Sequence, residues 1–411
     1  MSTDYFCIFA GGGVRGIAYL GVLQAFEKFG INITGMAGSS IGAIFASLYA
    51  AGFSYDEIKE IAFATNYELV SDLNFGLGKN FGICKGDSFL CWFRERIEKK
   101  YYGERFDPKG NEPVKFKDLD KDLVIVATNL SDVSCKIYSK VETPDEEIVQ
   151  AVRASVSIPG FFKPVWNKDE CLIDGDVIGN FPSWRFENYL ISNTSSRILE
   201  LRLENLQKPR KISNPIEYFG AILDSAYNVS SDLLFKLYGQ NDGFDVIRID
   251  IGNISIIDFN ISAEEREKLV ERGFNSVRSY FEGTLICKKK IILETYINLH
   301  KFLKIFLDEI SSNKVTQGRI TLGELLLFAT ENKNIISKNI FSEITEIKEI
   351  FQKNLYSVVL LNISALKNKK EVIKTINYSL KNVENEINSF NSYIETITAN
   401  SHKRSGNEKI L

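Results

Sequence analysis

The chain has 411 residues, of which 44% are hydrophobic and 25% are charged, and its formal net charge is -3. This composition is typical of a folded protein with one large domain or two ordinary ones, and it excludes disordered and collagen-like chains. Nucleic-acid binding depends on Lys and Arg side chains that neutralise phosphates. This weakly acidic chain therefore predicts no nucleic-acid partner.

The cysteines and the N-terminus bear on the cellular compartment. The six cysteines are scattered without a CxxC pair, which favours a reducing compartment and gives no zinc motif. The N-terminus lacks the charged region of a signal peptide, and no apolar run reaches the roughly 18 residues of a membrane span. We therefore expect a cytoplasmic protein.

Short apolar runs alternate with helical patterns over about the first 280 residues, which predicts an α/β domain with a layered, mostly parallel sheet flanked by helices. The predicted strands are Tyr5–Phe9, Leu123–Thr128, Lys136–Ser139, Cys171–Ile173, Ile198–Leu203 and Val246–Ile251. Three capping boxes, Ser54–Glu57, Thr143–Glu146 and Ser262–Glu265, predict helix starts, because each offers a hydroxyl and a carboxylate to first-turn amides.

From about Leu285 the periodicity becomes helical, which predicts a boundary near Gly283 between a first domain (1–283) and an all-helical C-terminal region (284–411). An apolar stripe there comprises Phe341, Ile344, Ile347, Phe351, Leu355 and Val358. A second series has the 3.5-residue repeat of a coiled-coil seam. It comprises Ile373, Ile376, Leu380, Val383, Ile387, Phe390, Ile394 and Ile397. A helix packed in the chain's own bundle is the favoured interpretation, and a homodimer or partner-binding helix is the alternative.

The pentapeptide Gly38-Ser-Ser40-Ile-Gly42 fits the G-x-S-x-G nucleophile elbow, in which small flanking residues let a strand turn sharply into a helix. Ser40 is the central hydroxyl. The motif is weak alone, but the apolar helical run 43–51 begins where an elbow requires a helix.

The glycine-rich segment Gly11-Gly-Gly-Val-Arg-Gly16 follows the first strand, so its backbone amides can point at one oxyanion or phosphate. A nucleotide-binding loop is the competing interpretation. The segment lacks the Lys-Ser/Thr ending of a P-loop, and the next strand ends without a convincing acidic residue. An oxyanion hole is therefore favoured over a dinucleotide site.

A nucleophilic serine needs a base, yet the chain has no histidine before His300. A carboxylate that acts directly on the serine is the remaining option, and Asp174 at the end of a short apolar strand is the candidate. An ordinary Asp-Gly turn is the plain alternative for this residue.

Four segments together resemble the patatin-like phospholipase family. They are Gly11–Gly16, Gly38–Gly42, Ala151–Val165 and Asp174-Gly175, in this order and at these separations. The resemblance spans roughly residues 5–281 and implies a patatin-like fold and a Ser-Asp dyad that hydrolyses phospholipids, lysophospholipids or other acyl esters without metal or cofactor. It implies Ser40 as nucleophile, Asp174 as base and Gly12 with Gly13 as the main oxyanion donors. Gly11, Arg15 and Gly16 complete the oxyanion loop.

One residue departs from the family pattern. Asp176 stands two residues after the expected base, where the family usually has Gly or Ala, and a second carboxylate there would change the proton affinity of the first or occupy the site. Two functions stay open: a lipid acyl hydrolase, or a patatin-like protein of little activity that binds a partner through its helical region. Arg15 is expected either at a lipid phosphate or in a structural ion pair. Arg153 is expected on a helix surface or in packing, with anchoring of the elbow region as the second interpretation.

The resemblance also implies a membrane or micelle surface that carries the substrate, hence peripheral membrane association. Residues 1–283 would then be the catalytic domain, and residues 284–411 a regulatory or partner-binding region. A protein or small-molecule activator and export as an effector both stay open. The glycine-rich segment 74–86, with Phe75 and Phe81, is a candidate lid.

Overall fold

The computed structural model of the chain describes residues 4–64, 81–177, 196–205, 212, 218, 221–222, 225, 243–254, 256, 261–333, 335–358, 363–366 and 368–407. The chain divides into two compact units. The first comprises Met1–Gly239 and Gly243–Arg278, and the second comprises Gln240–Asp242 and Ser279–Leu411. The predicted boundary residue, Gly283, lies in a π-helical turn, Tyr280–Thr284, and the assignment of a regulatory role to the region beyond it stays a prediction.

The first unit is built on a mixed sheet. The strands of this unit are β1 (Asp4–Phe9), β2 (Asn32–Ser39), β3 (Gly82–Cys84), β4 (Asp122–Asn129), β5 (Ser134–Ser139), β6 (Gly160–Phe162), β7 (Val165–Asn167), β8 (Glu170–Ile173), β9 (Ser196–Glu204) and β10 (Phe244–Asp250). The order across the main sheet is β10-β9-β1-β2-β4-β8-β7, and β5 pairs with β4. Strands β10, β9, β1, β2 and β4 run parallel, whereas β5, β7 and β8 pair antiparallel.

This topology positions the candidate site. Parallel strands end at the same edge of a sheet, so the segments that follow β1, β2 and β4 meet there. Strand β8 runs antiparallel to β4, with Ile173 opposite Thr128, and so carries Asp174 back over the same region. The short strands β3 and β6 form a separate parallel pair.

Helices flank the sheet of the first unit, as expected. They are α1 (Ala18–Phe29), α2 (Ile41–Ala50), α3 (Tyr55–Ala64), α4 (Asp87–Tyr102), α5 (Ile148–Ser155) and α6 (Ala263–Ser279). Alternate side chains of β1 and β4, Phe6, Ile8, Val124 and Val126, lie in one apolar cluster, which is the period-two burial of a sheet face.

The capping boxes had different outcomes. Ser54 exchanges hydrogen bonds with Glu57 at the start of α3, and Ser262 does so with Glu265 at the start of α6, so both predictions are confirmed. The prediction at Thr143 is wrong, because α5 begins only at Ile148. The Thr143 hydroxyl instead accepts a hydrogen bond from the Ser139 amide at 3.1 Å, which holds a turn.

The second unit is a helical bundle. Its helices are α7 (Leu285–Ser311), α8 (Val315–Glu331), α9 (Lys338–Asn354) and α10 (Lys369–Asn407). Leu299, Leu325, Ile344 and Val383, one from each helix, are buried in one shared core. The helical character of this region is therefore confirmed.

A strand pair also lies in the second unit. Strands β11 (Leu355–Val358) and β12 (Ile363–Leu366) pair antiparallel, so the predicted stripe leaves the helical conformation after Asn354 and the region is not helical throughout.

The coiled-coil-like seam lies on α10 and packs inside the bundle. Ile376, Leu380, Val383 and Phe390 are buried in the core of the second unit, and Ile373 and Ile387 pack against it. The favoured interpretation as a bundle helix is confirmed up to Phe390, so these side chains are not available to a second chain. The side chain of Ile397 lies outside the described residues.

Within the described part of the chain, no helix is both long and apolar enough to cross a membrane. Of the candidate lid, positions 74–80 lie outside the described residues. Phe81 is described and its side chain is exposed.

Candidate active site

Ser40 stands at a sharp turn between β2 and α2. Its backbone has φ 50° and ψ -128°, a region that residues with a side chain rarely adopt. A Cβ at Gly38 would overlap the backbone of Gly42, and a Cβ at Gly42 would overlap the carbonyl of Phe9. Both flanking positions therefore require glycine, as a nucleophile elbow predicts.

Ser155, at the end of α5, holds the elbow in place. Its hydroxyl accepts a hydrogen bond from the Ser40 amide at 3.0 Å and donates one to the Val126 carbonyl of β4 at 2.6 Å. The side chain is fully buried. Because one hydroxyl satisfies a strained amide and a carbonyl of the sheet, Ser155 ties the turn to β4.

Asp174 follows β8 directly and is fixed by its backbone. Its amide donates to the Ser157 carbonyl at 3.0 Å, and the amide of Gly175 donates to the Ser155 carbonyl at 3.3 Å. A Cβ at Gly175 would overlap the Val126 carbonyl, so the chain passes close to β4 here. The same short segment, 155–157, thus positions both Ser40 and Asp174.

The Asp174 carboxyl is almost fully buried, with 3% of the residue exposed. Its Oδ1 accepts a hydrogen bond from the Asp176 amide at 2.9 Å, whereas Oδ2 accepts none of standard geometry from the described residues. Burial raises the pKa of Asp174 well above its ordinary value, and the nearby Asp176 charge raises it further. The Ser40 hydroxyl partly offsets this by lowering the pKa. A basic carboxylate therefore lies beside the serine with one oxygen available.

The glycine loop borders Ser40. Gly13 adopts φ 59°, and a Cβ there would overlap the Ile256 carbonyl, which accepts the Val14 amide at 3.0 Å. The amides of Gly12 and Gly13 donate to no partner among the described residues. Gly16 faces Ile41 of α2 with no room for a Cβ, so the loop also packs against the elbow.

The two arginines that the sequence singled out are both buried. Arg15 donates from Nε to the Ile254 carbonyl at 2.8 Å, a structural contact that holds the glycine loop against a distant part of the chain.

The surface interpretation of Arg153 is wrong, because its side chain is 4% exposed. Its guanidinium donates to the carbonyls of Lys85, Gly86 and Lys163 and to the Ser157 hydroxyl, at 2.5 to 3.2 Å. It therefore fixes the segment that carries Ser155 and Ser157.

Asp176 enters the site, as the departure from the family pattern suggested. Its Oδ1 accepts a hydrogen bond from the Ser39 hydroxyl, and its Oδ2 lies where a Cβ at Gly11 would stand. Any larger residue at position 11 would displace this carboxylate.

A cavity of about 20 Å³ brings these groups together. Its lining consists of Gly11, Gly12, Gly13, Arg15, Ser40, Ile158, Asp174, Asp176, Leu203 and Ile256. This volume holds about one water molecule. Gly16, Gly38, Gly42 and Gly175 shape the surrounding backbone and do not line the cavity.

The described residues hold no cluster of three or more His, Cys, Asp or Glu side chains that could bind a metal ion. His300 lies on α7 of the second unit, where its Nε2 contacts Glu384 at 2.9 Å. The polar groups around Ser40 are therefore a carboxyl pair and backbone amides, a set that suits acyl transfer from an ester.

The sequence did not single out Ser155 or Ser39 as site residues. Ser155 lies within the quoted segment Ala151–Val165, so a signal was present without an assigned role. Ser39 is the unnamed second residue of the elbow.

Comparisons with known proteins identify relatives of this chain. The family model "Patatin-like phospholipase" matches residues 8–185. The uncharacterized protein R571 of Acanthamoeba polyphaga mimivirus is 31% identical over 66% of this chain and 91% of its own length. Lysophospholipase NTE1 of Saccharomyces cerevisiae is 26% identical over 43% of this chain but only 10% of its own length.

Among solved structures, VipD from Legionella pneumophila matches with a TM-score of 0.52 and 17% identity, over 92% of this chain and 90% of VipD. At this identity the match supports the fold alone. The sheet flanked by helices and the serine at the turn between β2 and α2 place the chain among α/β proteins with a serine elbow. Within this class, the chain belongs to the patatin-like phospholipase family.

Proposed function

We propose that the chain is a lipid acyl hydrolase that cleaves phospholipid or lysophospholipid esters through an acyl-enzyme on Ser40. One observation carries the proposal: the Ser40 hydroxyl, an unpartnered oxygen of buried Asp174 and the Gly12 and Gly13 amides border a single cavity. These are the nucleophile, the base and the oxyanion donors that acyl transfer needs.

The first half of the reaction forms the acyl-enzyme. Asp174 takes the proton of Ser40 while Oγ attacks the ester carbonyl carbon, and the resulting oxyanion accepts hydrogen bonds from the Gly12 and Gly13 amides. When the tetrahedral intermediate collapses, the carbon–oxygen bond to the alcohol breaks and Asp174 protonates the leaving oxygen.

The second half repeats these roles with water. Asp174 takes a proton from the attacking water, and the same amides hold the second oxyanion. Ser40 leaves and regains its proton from Asp174 as the fatty acid forms. The raised pKa of Asp174 suits this role, because a buried carboxylate is a stronger base than an exposed one.

The small volume of the cavity bears on regulation. About 20 Å³ does not enclose a whole lipid acyl chain, and we propose that contact with a lipid surface or with an activator widens the site for long-chain substrates. Association with membranes would then accompany activity. The region 284–411 is the candidate to bind an activator.

The test measures fatty-acid release from mixed phospholipid vesicles and covalent labelling by a fluorophosphonate, with and without cell lysate. Ser40→Ala should lower the release rate by about 10³-fold or more and abolish labelling. Ser47→Ala is the matched control, because Ser47 is equally buried on α2 and its hydroxyl has no partner among the described residues. If wild type neither hydrolyses nor labels under any condition, the proposal is wrong and the partner-binding function is favoured.

A further inference from the structure

A second carboxylate lies at the mouth of the oxyanion loop. Asp176 lines the same cavity as Ser40 and Asp174, and its Oδ2 packs against Gly11, next to the proposed oxyanion donors. Its amide donates to Asp174 Oδ1 at 2.9 Å. The charge of this carboxylate therefore acts on whatever occupies the site, together with the charges of Asp174 and Arg15, which line the same cavity.

The position of Asp176 is well supported by the surrounding residues. The Ser39 hydroxyl donates to Oδ1, and the missing side chain of Gly11 leaves room for Oδ2. Ser39 directly precedes Ser40 in the elbow, so the carboxylate is fixed to the same turn that presents the nucleophile.

The charge of the reacting groups changes at only one point of the proposed cycle. With Asp174 ionised and the ester neutral, the dyad and substrate carry one negative charge. When the Ser40 proton moves to Asp174, that charge moves to the oxyanion, and the total is unchanged through both tetrahedral intermediates. A second negative charge appears only when the fatty-acid product loses its proton to solvent.

Asp176 therefore opposes the product anion more strongly than the transition states. During the chemical steps it meets a charge that is only relocated, whereas a bound fatty-acid carboxylate adds a new charge beside it. Asp174 is buried and Asp176 is half-buried, so solvent screens this repulsion less than it would at an open surface.

We propose that Asp176 is a specificity-determining residue that repels carboxylate ligands from the nucleophile and so favours neutral esters and promotes release of the fatty-acid product. The part of this proposal that concerns release of the fatty-acid product rests on the proposed function. The discrimination between a carboxylate and a neutral ligand is a binding property, and it is measured without turnover.

The experiment titrates the full chain with octanoate and with octanamide at pH 8 in a calorimeter. The two ligands share one chain length and differ in charge at the carbonyl end. Wild type should bind octanamide at least tenfold more tightly than octanoate. Asp176→Asn keeps an oxygen acceptor for Ser39 and removes the charge, so the ratio of the two dissociation constants should fall at least threefold, while the ionised Asp174 keeps part of the preference. Asp176→Gly, with the residue type usual in the family, is the second variant if the first melts at a lower temperature.

Asp169→Asn is the matched control, because it removes the same charge from the exposed turn before β8, on the order of 15 Å of strand away from the site. It should retain the wild-type ratio. An equal ratio in wild type and both Asp176 variants would overturn the proposal, as would a failure of both ligands to bind any variant. Hydrolysis of the neutral ester 4-nitrophenyl butyrate by wild type is measured in parallel. If wild type does not hydrolyse this ester, the proposed function is contradicted, whatever the ratio of the two dissociation constants.

Discussion

Ser155→Ala should weaken both the fold and the activity, because one hydroxyl satisfies two buried groups. The substitution leaves the amide of Ser40 and the carbonyl of Val126 without their partner. A buried polar group left unsatisfied costs about 1–3 kcal/mol, so we expect a loss of about 2–4 kcal/mol in the free energy of unfolding.

The effect on activity follows from strain at Ser40. A residue with a side chain held at a positive φ stores about 1–3 kcal/mol, and the hydrogen bond from its amide to Ser155 helps to hold it there. If relaxation of the turn displaces the Ser40 hydroxyl and raises the activation free energy by about 1.4 kcal/mol, turnover should fall about tenfold.

The assay is urea unfolding followed by tryptophan emission. Trp92, Trp166 and Trp184 are the only tryptophans of the chain and belong to the first unit, so the signal reports on that unit alone. Ser47→Ala is again the control, since it removes a buried hydroxyl that has no partner in the described structure and should change stability by less than about 0.5 kcal/mol. Equal losses in the two variants would refute this account of Ser155.

Two further predictions concern the base and the elbow. The folded-state pKa of Asp174 is raised above its unfolded value, so its contribution to stability is present below the unfolded pKa and is lost as pH rises through the folded pKa. Asp174→Asn should therefore raise the urea midpoint at pH 8 but not at pH 3, while abolishing hydrolysis, and the acid limb of wild-type activity should lie above the ordinary Asp pKa of about 3.9. An unchanged midpoint at pH 8 would contradict this. Gly42→Ala should unfold the elbow and lose activity, because its Cβ overlaps the Phe9 carbonyl, whereas Gly323→Ala on α8 meets open space and should stabilise its helix by about 0.5–1 kcal/mol, as thermal melting would report.

Strands with regular apolar character were predictable, and the one that carries the nucleophile was not among those predicted. Leu123–Thr128 is rich in Val and Ile and lies within β4. Strand β2 has Gly35 and Gly38 and small or polar neighbours, which local preference does not favour in a strand. Its conformation is set by pairing with β1 and β4 on either side.

Predictions from local patterns were wrong where the same sequence pattern is compatible with two different local structures. A hydroxyl followed three residues later by Glu predicts a helix start, yet Thr143 satisfies a turn from Ser139 instead. The stripe through Leu355 and Val358 keeps helical spacing, but these residues lie in β11, whose partner β12 follows later in the chain. Contacts between distant residues decide both cases, and periodicity does not record them.

The same distinction explains which site residues the sequence could indicate. Gly38 is required by the turn itself, because a Cβ there would overlap Gly42, and Gly42 is required by the Phe9 carbonyl of β1. Both glycines stand within a five-residue motif, so the sequence could indicate them. Ser155 reaches Ser40 across 115 positions, and Asp176 reaches Ser39 across 137, so no local motif records either contact.

These long-range contacts also bear on whether Asp176 indicates a site that has lost its catalytic activity. An intruding carboxylate would be expected to lack a donor and to crowd its surroundings, because an unsatisfied buried charge is strongly unfavourable. Asp176 instead has the Ser39 hydroxyl as donor and the space that Gly11 leaves open, while the buried Asp174 still lines the same cavity as Ser40. Residues far apart in the chain are thus matched to this carboxylate. That match supports an active site built around a second charge rather than one disabled by it.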